Sequence, residues 1–262
     1  MKIIHLSDTH IIEKSKKNLY GINPSLRLEK ALQSIRANHS NASMIIISGD
    51  LVNTPSSKAY NTFCKIIKRY DFPVYPIIGN HDDRDMFFDF FPQFKNDGFA
   101  QYIVDIEEFA FVFLDTNVKN KPYGRLCSKR LKWIEETLKN KQDKEIYIFM
   151  HHHPLVSGMY EMDNTANLKE SDKFWNIIEK YKNIKHITFG HLHRITQMNK
   201  GNISLHSTKS TVFEVAYRPN EEREYLTNEE KPTYAIMNIN RNFLLIHHHE
   251  FLNEDDIYEG NC

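Results

Sequence analysis

Five apolar runs in this chain end in side chains that can hold a metal ion or carry a proton. They are followed by Asp8-x-His10, Gly49-Asp50, Gly79-Asn80-His81-Asp82, His151-His152-His153-Pro154 and Gly190-His191-Leu192-His193. Each has a bland reading on its own: a turn aspartate, a surface histidine, a glycine that frees a bend. Gly79-Asn80-His81-Asp82 is harder to dismiss, because an amide beside an imidazole at a strand end has no simple core role. The triplet must send neighbouring side chains to different sides, so at most one or two of its histidines face any one site. The whole set is Asp, His, Asp, Asn, His, His and His, without thiolate. Hard oxygen and borderline nitrogen donors of this kind suit Fe, Mn or Zn, and the lack of cysteine argues against a structural zinc site. Seven ligands are too many for one ion. With Asp50 bridging they suit two ions, which together activate a hydroxide and stabilise phosphoryl displacement.

The elements that must position these groups are legible from periodicity. Ile3–Leu6, Met44–Ile47, Val74–Ile78, Ile146–Met150 and Ile184–Phe189 read as buried strands that precede the five motifs. Between them lie helical patterns. One starts at Asn23-Pro24 and carries Leu28, Ala31, Leu32 and Ile35. Another is capped by Ser56 or Ser57, and others start from Ser128 or centre on Phe174–Tyr181. Gln101–Asp105 and Phe109–Leu114 form two further strand-like runs. Ile203–His206, Tyr234–Ile239 and Phe243–Phe251 read as β, with a turn at Asn240-Arg241-Asn242. Arg218–Lys231 reads as an exposed loop. Met159–Asn167 reads as a connector, with a lid or partner contact as alternatives. Strand–helix alternation implies parallel strands with crossover helices. Ligands in open α/β sheets bind at the carboxyl ends of strands, so the five motifs converge if their strands share one sheet edge.

Composition narrows the classes. Lys plus Arg is 34 and Asp plus Glu is 34 in 262 residues, so no broad basic face for nucleic acid or anionic membrane is expected. Hydrophobic residues at 40% and charged residues at 26% fit a globular chain. The three cysteines, Cys64, Cys127 and Cys262, are far apart and form no CxxC pair, which points to a reducing, cytoplasmic setting. The start has no apolar h-region and no apolar run nears a membrane span, so neither signal peptide nor membrane segment is expected. His5, His39, His186, His206 and His247–His249 read as core or surface histidines.

The ordered motif set resembles the calcineurin-like metallophosphoesterase superfamily. Leu114-Asp115-Thr116, Gly124, Leu126, Leu131 and Trp133 resemble the middle segment of the bacterial class III cyclic-nucleotide phosphodiesterases within it. That resemblance implies a four-layer α/β/β/α sandwich. Residues 1–262 would form one domain, with 1–199 carrying the metal motifs and 200–262 closing the second sheet. It also implies two ions, both divalent or a mixed-valence pair: Asp8, His10 and His193 hold one and Asn80, His152 and His191 the other, with Asp50 bridging. His152 comes first in the triplet because the family's ligand commonly sits two residues before proline; His151 comes second.

The same resemblance implies that His81 contacts phosphate and assists the leaving oxygen. Arg84 either steadies the phosphate or pairs with Asp82 or Asp85. The activity implied is hydrolysis of a small phosphodiester, foremost a 3′,5′-cyclic nucleotide such as cyclic AMP. The alternatives are glycerophosphodiester or broad phosphoester hydrolysis at the same site, a nuclease, and a metal-stabilised interaction module without catalysis.

Overall fold

Period-two alternation decides which way each strand faces. In β1 (Lys2–Leu6), Ile4 and Leu6 join a helix-covered core, while Ile3 turns to the other side. The computed structural model describes residues 1–16, 18–219, 227, 228 and 230–252. Its first half runs β1, α1 (Pro24–Asn38), β2 (Met44–Ser48), α2 (Ser57–Ile67), β3 (Val74–Ile77) and α3 (Arg84–Phe90). Pro24 sits in the first turn of α1, where a missing N–H costs nothing. Asn23 caps that helix by accepting from the Leu26 N–H at 3.1 Å, and Ser56 does the same for α2 from Ala59 at 3.1 Å.

The middle runs β4 (Tyr102–Ile106), β5 (Phe109–Phe113), β6 (Gly124–Arg125), α4 (Ser128–Lys139), β7 (Glu145–Phe149), β8 (Leu168–Lys169), α5 (Ser171–Ile178) and β9 (Ile184–Phe189). The tail adds β10 (Thr196–Lys200), β11 (Ile203–Ser207), β12 (Glu214–Val215), β13 (Thr227–Asn228), β14 (Thr233–Ile239) and β15 (Leu244–Glu250).

Two sheets result, of order β15-β14-β1-β2-β3 and β10-β11-β9-β7-β5-β4. Helices α1 to α3 cover the outer face of the first, through Leu28, Leu32, Phe63 and Phe87 packed on Ile4, Ile45 and Ile47. Helices α4 and α5 cover the second, through Ile134, Leu138, Phe174 and Ile178 against Val112, Ile148 and Ile187. The inner faces meet at Ile3, Ile46, Met237, Phe111, Phe113, Tyr147 and Phe149. This is the four-layer α/β/β/α sandwich.

Two expectations change. The five motif strands do not share one edge: β1, β2 and β3 belong to the first sheet and β7 and β9 to the second. Convergence comes from stacking the sheets with their parallel strands ending together. The tail also divides. β10 and β11 extend the second sheet, whereas β14 pairs antiparallel with β1 and β15 with β14 to close the first, because hairpins reach an edge without a crossover.

Asn240 makes the turn between β14 and β15, its side chain accepting from the N–H groups of Asn242 and Phe243. The segment at 159–167 is no bare connector. A π-turn at Met162–Ala166 buries Met159, Met162 and Ala166 in the second core. Much of Arg218–Lys231, and Cys262, lie outside the described residues. Cys64 and Cys127 are free thiols. Among the described residues no helix is long and apolar enough to cross a membrane.

Candidate metal centre

The loop after β1 continues beside the loop after β2. The N–H groups of Asp8, His10 and Ile11 donate to the carbonyls of Gly49, Asp50 and Leu51 at 3.1, 2.9 and 3.0 Å. This brings Asp8, His10 and Asp50 to the seam between the sheets. From the second sheet, Gly190 donates to the His151 carbonyl at 3.1 Å, and the His191 N–H donates to Asp8 Oδ2 at 3.0 Å. Asp8, His10, Asp50, His191 and His193 all hold positive φ, between 42° and 68°. Each such L-residue costs roughly 1–2 kcal/mol. Strain repeated at five motif positions marks a place where side-chain direction outweighs backbone comfort.

Asp82 locks the loops from below. Buried, it accepts from the N–H groups of Gly79, Leu51 and Val52 at 2.8, 3.1 and 3.3 Å, and from the Tyr60 hydroxyl at 3.0 Å. Burial, then the Asp50 charge, pushes its carboxyl up to about 7. Gly49, at φ +98°, lets the β2 loop pass under His151, where a Cβ would collide with the imidazole.

The side chains fall into two groups whose candidate ligand atoms lie within 4.8 Å of one another: Asp8, His10, Asp50 and His193, and His151, His152 and His191. In the first, His193 Nδ1 donates to the Phe213 carbonyl at 2.8 Å, so its Nε2 is a bare lone pair. That lone pair lies 3.1 Å from His10 Nε2 and 3.3 Å from Asp8 Oδ1; His10 Nε2 lies 3.8 Å from Asp50 Oδ2. In the second, His151 Nδ1 donates to the Ser48 carbonyl at 2.7 Å. Its Nε2 faces Asn80 Oδ1 at 3.1 Å and Asp50 Oδ1 at 3.5 Å. Asp50 therefore faces both groups.

His191 Nε2 and His152 Nε2 are buried without partners, while His152 Nδ1 meets the Thr116 hydroxyl at 2.7 Å. His153 is diverted to Asp163 in the π-turn, at 3.2 Å.

The field here calls for positive charge. Burial alone would raise Asp50, yet His151, His81 and His10 hold it well below its ordinary range. Asp8 is likewise lowered against burial, chiefly by His193. Burial depresses His151, but Asp50, Asp8 and the Ser48 carbonyl outweigh it and lift it to about 9. His10 is pushed down to about 3, and His152 and His191 well below their usual value, first by burial. Buried carboxylates held anionic beside imidazole nitrogens, at positions where a metal ion can take the place of a proton, fit divalent cations. Asn80, half-buried, adds a neutral oxygen.

His81 stands at the rim. Its backbone N–H donates to Asp50 Oδ1 at 2.8 Å and its Nδ1 donates to the Asn53 carbonyl at 2.8 Å. The Asp50 charge raises its pKa. The ring lies 4.9 Å from that of His10, edge to face.

Arg84 does neither of the things expected of it. It makes a bidentate pair with buried Asp115, at 2.5 and 2.9 Å, because Asp115 at the end of β5 takes both Arg84 and Arg130. Several contributors lie outside the five strand-end motifs: Phe213, whose ring packs 5.1 Å from His10 and 4.5 Å from His193, and Ser7, Ser48 and Thr116. The only sequence signal for the two serines is a small polar residue between an apolar strand and the motif aspartate.

Residues 1–194 match the family described as Calcineurin-like phosphoesterase. The chain is 30% identical to a probable cyclic nucleotide phosphodiesterase of Rhodopseudomonas palustris, over 98% of this chain and 95% of that protein. It is 26% identical to the 3′,5′-cyclic adenosine monophosphate phosphodiesterase CpdA of Escherichia coli K12, over 84% and 78%. It is also 26% identical to the glycerophosphodiester phosphodiesterase GpdQ of Enterobacter lignolyticus, over 86% and 82%. A dimetal phosphatase from Danio rerio shares the fold with a TM-score of 0.72, at 12% identity over 96% of each chain.

Proposed function

Since this chain belongs to the calcineurin-like phosphoesterase family and is a phosphoesterase hydrolase, we propose that its substrate is a small phosphodiester, foremost a 3′,5′-cyclic nucleotide such as cyclic AMP, opened to the 5′-nucleotide. The observation that carries the reading is the convergence of Asp8, His10, Asp50, His151, His152, His191 and His193 as buried carboxylate and imidazole donors, with half-buried Asn80 beside them. On this reading the ions are both divalent or a mixed-valence pair; Asp8, His10 and His193 hold one, Asn80 and His191 hold the other, and Asp50 faces both. His151, rather than His152, completes the second set, since its Nε2 points at Asn80 and Asp50. His152 stays beside them as the alternative. Iron, manganese and zinc all suit these donors.

When bound, the ions supply an activated water nucleophile and neutralise phosphoryl charge. The chain's own part is positional. The Asp50 and Asn53 contacts hold His81 at the rim of the site, and the Asp50 carboxylate keeps that ring inclined to carry a proton. His81 then donates to the departing ester oxygen, which is the ribose 3′ oxygen of a cyclic nucleotide. Free thiols at Cys64 and Cys127 support a cytoplasmic setting.

Glycerophosphodiesters are the second reading, supported by the likeness to the GpdQ enzyme. The test is turnover of cyclic AMP, cyclic GMP, glycerophosphocholine and a phosphomonoester, with metal analysis on the same sample. Cyclic nucleotide cleavage that disappears in Asp50→Ala supports the proposal. Preference for glycerophosphocholine selects the second reading, and full activity in purified Asp50→Ala rejects the site.

A further inference from the structure

Of the seven histidines outside the strand-end motifs, four lie deeper, between the two sheets. His5 on β1, His186 on β9 and His206 on β11 are 2% exposed or less, and His248 on β15 faces His206 with ring centroids 5.9 Å apart. The apolar seam of Ile3, Ile46 and Phe149 gives way here to polar side chains, which are costly to bury unless hydrogen-bonded.

One line of these contacts reaches the candidate centre from behind. His5 Nε2 meets the Ser48 hydroxyl at 2.7 Å. Ser48 meets the Ser7 hydroxyl at 2.7 Å, and Ser7 donates to Asp8 Oδ2 in a short hydrogen bond. The direction of this line is fixed at its end. An ionised carboxylate only accepts, so Ser7 must spend its proton on Asp8. Ser7 then accepts from Ser48, whose proton is spent in turn, and Ser48 can only accept from His5. His5 is therefore the tautomer with its proton on Nε2, and its Nδ1 is the bare nitrogen, which is indeed buried without a partner.

We propose that His5, Ser48 and Ser7 form a donor relay that holds Asp8 in the orientation its candidate metal ion requires. The proposal rests on the two-ion reading above and names positioning residues within it. Oδ2 takes the Ser7 hydroxyl and the His191 N–H, which leaves Oδ1 unpartnered and directed toward His193 Nε2 at 3.3 Å. The relay thus divides the carboxylate into an anchored oxygen and an offered one. Gly190 makes room for it: a Cβ there would collide with Ser7 Oγ and approach the Ser48 carbonyl and Asp8 Oδ2. His5 is the member that sets direction. Without its Nε2 proton, the Ser48 hydroxyl is free to turn away from Ser7, and the Asp8 side chain loses one of its two anchors. A second line, Ser204–His186–His206, joined at 2.6 and 2.9 Å, ends on a ring 5.5 Å from that of His5.

Partners that orient a metal ligand typically hold about 10–100-fold in affinity. The test is calorimetric titration of the metal-free protein with Mn(II). Ser7→Ala and His5→Leu are expected to weaken one of the two equivalents by about 10–100-fold and to leave the other unchanged. His5→Gln, which keeps an N–H donor, is expected to recover most of the loss. Activity in Ser7→Ala is expected to return at saturating Mn(II), with the metal dependence displaced and the plateau kept. Near-UV circular dichroism establishes that each variant is folded, and Ser48→Ala gives an independent cut of the same relay. Two equivalents at wild-type affinity in Ser7→Ala and His5→Leu would overturn the relay. So would equal weakening of both, which is general damage. Fewer than two ions on the wild-type chain would instead remove the two-ion reading itself.

Discussion

Lowering the pH is expected to destabilise this protein through histidines remote from the candidate centre. His186 is 1% exposed, its ring nitrogens meeting Ser204 and His206, and burial pushes its pKa down to about 3. In the unfolded chain the same group titrates near 6.5. Between these values the unfolded state binds the proton and the folded state does not, so stability falls as pH falls from about 6.5 toward 3. From pH 7 to pH 5 the loss from His186 alone is about 2 kcal/mol, or about 1.4 kcal/mol per pH unit once below 6.5. His206, lowered further by burial and by His186 and His5, adds to the same slope. The assay is urea unfolding of the chelator-treated protein at pH 7 and pH 5, for wild type and His186→Gln. The glutamine keeps hydrogen-bonding groups and cannot titrate. Its stability is expected to drop by about 2 kcal/mol less than wild type over that interval. Equal drops in the two proteins would refute the reasoning.

Other substitutions separate positioning from chemistry. Arg84→Ala leaves buried Asp115 with Arg130 at 3.4 Å and the N–H groups of Ala100 and Asn117. Denaturant titration is expected to show a loss of about 2–3 kcal/mol, with the substrate KM unchanged; a raised KM would restore a phosphate-contact role. Gly49→Ala forces a side chain into φ +98° and into the His151 ring. Strain of about 1–2 kcal/mol and overpacking of about 1–3 are expected to sum to about 2–5 kcal/mol, seen as a lower urea midpoint. His151→Ala is expected to abolish binding of one ion, whereas His152→Ala lowers its affinity less. Elemental analysis decides, and the reverse order would return the role to His152.

The sequence carried the fold well because its strands are short, apolar and punctuated. Asn23-Pro24 and Ser56 announce their helices through caps, and Gly49-Asp50 announces the end of β2. The sheet partition was less accessible. Ile3 and Ile146 have the same local pattern, yet lie in different sheets, and only long-range pairing such as Ile3 with Met44 and Ile146 with Ile184 distinguishes them. The site was visible where chemistry is concentrated in motifs. It was invisible where a backbone carbonyl does the work: Phe213 fixes the His193 tautomer, and Ser48 fixes that of His151. Spacing before Pro154 favours His152; the turn after β7 sends His151 Nε2 toward Asn80 and anchors His152 Nδ1 on Thr116, with His152 still in one cluster with His191. Arg84 was misread because its partner Asp115 lies 31 residues away in sequence, at the end of another strand.

Anomalous diffraction from crystals grown with manganese addresses the two-ion reading at its root. It is expected to show two peaks about 3.5–4 Å apart, with the Asp50 carboxylate between them, one beside Asp8 and His193 and the other beside Asn80 and His151. Peaks confined to the protein surface, or a single ion remote from Asp50, would contradict it.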